Sequence, residues 1–161
     1  MGKYGISQSV TRFEDPKLLR GGGDFIDDDN AHGQLHALVV RSPHAHAEIR
    51  SVDISAAQSA PGVVAVFIGS DYKTAGWGPV PHIGPAVTRR DGADLQIPEF
   101  WPIAVDRVRM VGEGVAFVVA ESLSQARDAA DLVMVDYVSL PGSASTAAAL
   151  DTDAFILWDQ I

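Results

Sequence analysis

The 161-residue chain is 47% hydrophobic and 20% charged, with 12 basic against 21 acidic side chains and no cysteine. That length suits one domain with a genuine core, and the apolar content argues against a disordered chain. A formal charge of −9 argues against nucleic acid and anionic membranes as partners, because both are bound by basic surfaces. Without cysteine there is no disulfide, thiolate nucleophile, zinc ribbon or self-contained iron–sulfur cluster.

The opening Met1-Gly-Lys-Tyr-Gly-Ile-Ser7 lacks the apolar core of a secretory signal and has Ile6 where N-myristoylation needs Ser or Thr. The longest apolar runs, Val63–Ile68 and Val115–Ala120, fall far short of the about 20 residues that cross a bilayer. The expectation is a cytoplasmic protein that does not enter the membrane.

In chain order, residues 1–33 read as an extended arm. Pro16 and Gly21-Gly22-Gly23 interrupt any periodicity, and Asp27-Asp28-Asp29-Asn30 is turn chemistry. Leu35–Val40 is a short apolar run ended by Arg41-Ser42-Pro43, and Ala47–Asp53 alternates; both predict strands. Ser55-Ala-Ala-Gln58 has the spacing of a capping box, starting a helix that Pro61-Gly62 cuts short. Val63–Ile68 is a β-branched run and a third strand. Residues 69–100, rich in Gly and Pro and carrying Trp77, His82, Arg89 and Arg90, read as one long irregular loop. Val115–Ala120 predicts a strand and Ser122-Leu-Ser-Gln125 a second capping box. Leu123, Ala126, Ala130 and Val133 then form one helical stripe, and Leu132–Tyr137 a final strand before Pro141-Gly142. The two halves echo each other as strand–helix–strand units. They predict an α+β domain that packs short helices on a mixed sheet, with residues 34–140 as its body. The apolar Ala154-Phe-Ile-Leu-Trp158 segment is expected to be exposed or to pair with a second copy, as though it continued into further protein.

Candidate chemistry is sparse. His36, His44 and His46 allow a three-histidine metal site on extended backbone, against a turn at Ser42-Pro43-His44 whose imidazoles bond nearby carbonyls; no carboxylate or cysteine at ligand spacing supports the metal. Gly21-Gly22-Gly23 has neither the preceding strand nor the Lys-Ser/Thr of a phosphate loop. Gly112-Glu-Gly114 opens a dinucleotide fingerprint but has Phe117 at the third glycine, so a tight turn is the simpler reading. Asp27–Asp29 lacks the spaced ligands of a calcium loop. Ser42, Ser55 and Ser122 lack a nucleophile-elbow context. Trp77, Trp101 and Trp158 are candidates for core or interface packing. No residue is assigned as catalytic, cofactor-binding or metal-ligating.

Several stretches together resemble the xanthine dehydrogenase and aldehyde oxidase family of molybdenum hydroxylases. They are Arg12-Phe-Glu-Asp-Pro-Lys-Leu-Leu-Arg20-Gly-Gly-Gly, Phe25-Ile-Asp-Asp, Gln34-Leu-His-Ala-Leu-Val-Val-Arg-Ser-Pro-His-Ala-His-Ala47, Ala60-Pro-Gly-Val-Val-Ala-Val66, Val111-Gly-Glu-Gly-Val-Ala116, and Ala126-Arg-Asp-Ala-Ala-Asp-Leu-Val133 with Val135-Asp-Tyr137 and Leu140-Pro141. The similar region is the a/b hammerhead domain near the N-terminus of large subunits, most like the carbon monoxide dehydrogenase branch. The resemblance implies a hydroxylase of aldehydes, purines, N-heterocycles or CO that uses a molybdenum–pterin cofactor, with iron–sulfur clusters and FAD on partner subunits or domains. It implies that residues 141–161 lead toward molybdenum-binding domains and that this chain alone is a structural, non-catalytic piece. A free-standing assembly module of the same fold is the alternative. The chain departs from the family's usual residues at Gly114, where Pro is common, and at Val138-Ser139, where Glu-Pro is common. Gly114 is expected to loosen its turn by about 0.5–1 kcal/mol.

Overall fold

The computed structural model describes residues 11–82, 84, 88–93 and 97–158, which divide into two units at Gln34/Leu35. The reading of Met1–Ser7 and part of the 69–100 stretch lie outside the described residues. In the first unit, Pro16 stands in the opening turn of helix α1 (Asp15–Leu18), where its missing N–H leaves no bond unmade. The Gly21 N–H donates to Leu18 O and the Gly22 N–H to Lys17 O, each at 3.0 Å. Gly21 takes the left-handed φ of +69° that such a helix stop requires. The triple glycine thus ends a helix. A 3-10 turn follows at Ile26–Asp28, closed by the Asp28 carboxylate accepting the Phe25 N–H at 3.1 Å. The segment read as extended therefore holds two short helical turns.

The second unit contains β1 (His36–Arg41), β2 (Ala47–Asp53), α2 (Ser55–Gln58), β3 (Val63–Ile68), α3 (Gly69–Thr74), β4 (Arg107–Val108), β5 (Gly114–Ala120), α4 (Leu123–Ala130), β6 (Met134–Ser139) and α5 (Thr146–Ala149). The α+β class holds, but the single mixed sheet does not. The strands form two sheets, β1-β5-β3 and β4-β2-β6, and every pairing is antiparallel. The echoing units explain this. They are β2–α2–β3 and β5–α4–β6, and β2 pairs with β6 while β3 pairs with β5. Exchanging the two units maps one pair onto the other. Each unit thus places one strand in each sheet. A parallel neighbour within a unit would need a crossover of a dozen or more residues, which the four-residue α2 cannot supply.

Helices α2 and α4 seal one face of β1-β5-β3. Ala57 from α2 and Ala129 from α4 pack with Val66, Ala116, Val118 and Val133; small alanines let the helices sit close to the sheet. A second cluster, Ala47, Ala104, Val108 and Val115, joins the start of β5 to β2 and β4. Burying a valine contributes about 1.5–3 kcal/mol, so Val118, with no exposure, is among the strongest anchors of the fold.

Four local expectations need correction. Ser55 does not cap α2: the N-cap is Ile54, because the Asp53 carboxylate takes both the Ser55 hydroxyl (2.7 Å) and its N–H (2.9 Å). Ser122 does cap α4, accepting the Gln125 N–H at 3.3 Å, but the Gln125 side chain accepts the Ser122 hydroxyl at 2.7 Å rather than bonding the N-cap backbone. The stretch after Gly69 opens as α3, stabilised by Asp71 accepting the Ile68 N–H at 2.8 Å near the helix N-terminus, where a carboxylate is favoured. The last strand begins at Met134 rather than Leu132, since the Leu132 and Val133 N–H groups bond Ala129 O and Ala130 O in the turn that ends α4.

Candidate functional site

The motif residues converge where β1 leaves its sheet. The Ser42 N–H donates to Glu113 O at 2.8 Å, and the Gly112 N–H donates to Ser42 O at 2.8 Å. Arg41 Nη1 donates to Gly112 O at 2.7 Å. Gly112 holds a φ of +87°, open only to glycine without strain. The Glu113 side chain turns inward, almost fully buried, and accepts the Arg109 N–H at 2.6 Å. The Val-Gly-Glu motif is thus a clamp on a turn, as its simpler reading predicts, and no helix follows it as a dinucleotide fingerprint requires. Gly114 is held in the fold: its carbonyl accepts the Ala104 N–H at 2.8 Å, and a Cβ there would lie 3.0 Å from Val39 Cγ1.

The histidines are occupied separately. The Ser42 hydroxyl oxygen accepts the His44 N–H at 3.0 Å. The His44 ring lies 4.7 Å from Tyr137, and its Nδ1 is 3.3 Å from Ser139 Oγ. His46 Nδ1 is 2.7 Å from Pro141 O; a carbonyl only accepts, so that nitrogen carries the proton. The buried His46 Nε2 has no partner, and its ring stacks on Phe155 at 5.9 Å. His36 sits on β1 opposite Ala120. Among the described residues no group of three His, Asp or Glu could share a metal. Burial raises the Tyr137 phenol above its ordinary pKa, opposed in part by the Ser42 hydroxyl.

Arg109 is the feature that sequence reasoning missed. Besides its backbone bond to Glu113, its Nε donates to Leu157 O at 3.1 Å, and its guanidinium lies 5.7 Å from the Trp158 ring centroid, within cation–π range. It ties the Phe155–Trp158 segment back onto β4, so that segment is only partly exposed. Beside Arg109 opens a cleft of about 400 Å³ lined by Lys73, Glu99, Trp101, Asp106, Arg109 and Trp158 among others. Tyr72 meets Trp77 and Trp101 edge-on at 5.0 and 6.2 Å. Among the described residues the cleft lining holds two cations and two carboxylates but no hydroxyl, thiol or imidazole. Arg89 pairs with Asp91 at 3.5 Å on the surface.

Two interleaved strand–helix–strand units with a Glu113-clamped turn define an α+β domain of a specific kind. Residues 20–141 match the family described as "Aldehyde oxidase and xanthine dehydrogenase, a/b hammerhead domain", and the chain belongs to that family. It is 44% identical to the nicotine 6-hydroxylase large subunit of Paenarthrobacter nicotinovorans over 128 residues, 80% of this chain and 15% of that one. Among solved structures, quinoline 2-oxidoreductase from Pseudomonas putida 86 is 40% identical with a TM-score of 0.75, over 95% of this chain and 19% of its own. The Cu,Mo-CO dehydrogenase in its carbon monoxide reduced state is 35% identical with a TM-score of 0.74, over 93% of this chain and 17% of that one. The chain therefore spans less than a fifth of the length of these relatives.

The described residues do not fit a molybdenum–pterin group by themselves. Only two buried side-chain polar atoms among them lack a partner, His46 Nε2 and Trp158 Nε1. Two isolated ring nitrogens do not make a cradle for an anionic pterin and its metal, which needs a convergent set of donors.

Proposed function

We propose that this chain is the hammerhead portion of the large subunit of a molybdenum hydroxylase, serving as scaffold and docking domain and silent toward substrate on its own. The observation that carries the reading is coverage: the chain spans 15–19% of relatives named as oxidising enzymes, and residues 20–141 of it match the hammerhead domain. The reactive centre would lie on the molybdenum-binding remainder of the large subunit, with iron–sulfur clusters and FAD on partner subunits, in the cytoplasm. The names of the relatives, which specify nicotine, quinoline and carbon monoxide, favour N-heterocycle or CO oxidation by the whole enzyme. No helix among the described residues is long and apolar enough to cross a membrane, consistent with assembly away from the bilayer.

The test is to express the chain alone, and together with the molybdenum-binding part of the large subunit from the same genome, in a host that makes the cofactor. Molybdenum measured by elemental analysis is expected only in the complex. Stoichiometric molybdenum or turnover in the lone chain, or no complex at all, contradicts the proposal.

A further inference from the structure

One face of the sheet β1-β5-β3 lies under α2 and α4; the opposite face is apolar and only partly covered, its Val115 end lying in the second core cluster. Register sets Ala37 and Ala65 either side of Val119, and Val39 and Phe67 either side of Phe117, and directly opposed residues share a face. None of these six belongs to either core cluster; Ala37 and Phe67 are exposed, Phe67 by 46%, and Val39, Ala65, Phe117 and Val119 are half-buried. An antiparallel sheet with one wet face alternates apolar and polar residues. β3 and β5 instead read Val-Val-Ala-Val-Phe-Ile and Gly-Val-Ala-Phe-Val-Val-Ala, without a polar side chain, which is the composition of strands covered on both faces.

Resting on the function proposed above, we infer that this face is the seat of the remainder of the large subunit, met by an apolar protein surface. Two observations choose that occupant. The relatives' chains are more than five times the length this chain spans, so each carries a large body of protein beside this domain. Stacking a second copy would instead set two chains of −9 against each other, which like-charge repulsion disfavours.

The experiment measures the affinity of the chain for the molybdenum-binding part of the large subunit from the same genome, by calorimetry. Wild type is compared with Phe67→Glu, with Ala37→Glu at a second exposed position of the same face, and with Met134→Glu on the exposed side of β6. Thermal melts confirm that each variant is folded, and sedimentation velocity gives its oligomeric state alone. Wild type and Met134→Glu are expected to bind equally as monomers. Phe67→Glu and Ala37→Glu are expected to bind at least about tenfold more weakly, as loss of an interface anchor predicts. Equal binding by all four overturns the inference while leaving the proposed function standing. A wild-type dimer that Phe67→Glu dissolves overturns it in favour of a second copy. No binding by wild type removes the proposed function and the inference together.

Discussion

The two sheets share an architecture but not a chemistry. In β4-β2-β6 the exposed positions of β2 are Glu48, Arg50, Ser51 and Asp53, and those of β6 are Met134, Asp136 and Ser139. In β1-β5-β3 the exposed positions are Ala37 and Arg41 of β1 and Val64 and Phe67 of β3, with Val39, Ala65, Phe117 and Val119 half-buried beside Ala37 and Phe67. A polar outer face satisfies a sheet that ends at solvent; an apolar one leaves transfer free energy uncollected, at about 25 cal/mol for each Å² still in contact with water. On the function proposed above, the difference marks one side of the domain for cover by a partner. That side, rather than the clefts, carries the strongest sign of partnership.

The comparison breaks most visibly at Val118. Val118→Asp, on the covered face of β5, places an unpaired carboxylate among fully buried residues. It should cost more than about 4 kcal/mol, enough to leave the chain largely unfolded by circular dichroism. Phe67→Glu, on the opposite face of neighbouring β3, should leave the stability of the isolated chain within about 0.5 kcal/mol in urea titration. Between these falls Gly69→Ala. A Cβ at Gly69 would meet the Ala104 carbonyl backbone, which cannot swing away, and overpacking of this kind costs about 1–3 kcal/mol. Loss of the cap in Ser122→Ala should cost about 1 kcal/mol. Ser55→Ala should spare its helix that loss, because Ser55 caps nothing.

The smallest effect is a titration. The Ser55 hydroxyl, and then its N–H, hold the Asp53 carboxyl below its ordinary pKa. Its contribution to stability is therefore present above the unfolded-state pKa and is lost as pH falls through the folded one. Ser55→Ala should move the Asp53 carboxyl resonance midpoint upward toward the ordinary value in an NMR titration. An unmoved midpoint would show that the hydroxyl does not hold it.

Legibility followed the range of the interactions. Ala47–Asp53 and Val63–Ile68 were marked by alternation and by β-branched runs, and both strands occupy those residues. The all-apolar character of β3 and β5 was also visible, although its meaning depended on which faces the helices cover. What was hidden is non-local. Nothing in the local pattern says that β2 seeks β6 or that β3 seeks β5, so the pattern suggests one mixed sheet where two antiparallel sheets form. The helix at Gly69–Thr74 was lost among neighbouring Gly and Pro, although Asp71 three residues after Ile68 is a helix-start signal. Arg109 looked like any surface arginine, because its bond to Leu157 O crosses 48 residues. At the candidate site, the Gly112-Glu113 turn was legible from glycine chemistry, whereas the separate fates of His44 and His46 depended on Ser139, Pro141 and Phe155, which only folding brings near.

Oxidative side-chain footprinting of the chain, alone and in complex with the molybdenum-binding part of the large subunit, tests the central contrast most directly. Labelling of Phe67 and Phe117 should fall on complex formation while labelling of Met134 stays constant. Protection of Met134 with Phe67 and Phe117 still fully labelled would contradict the account.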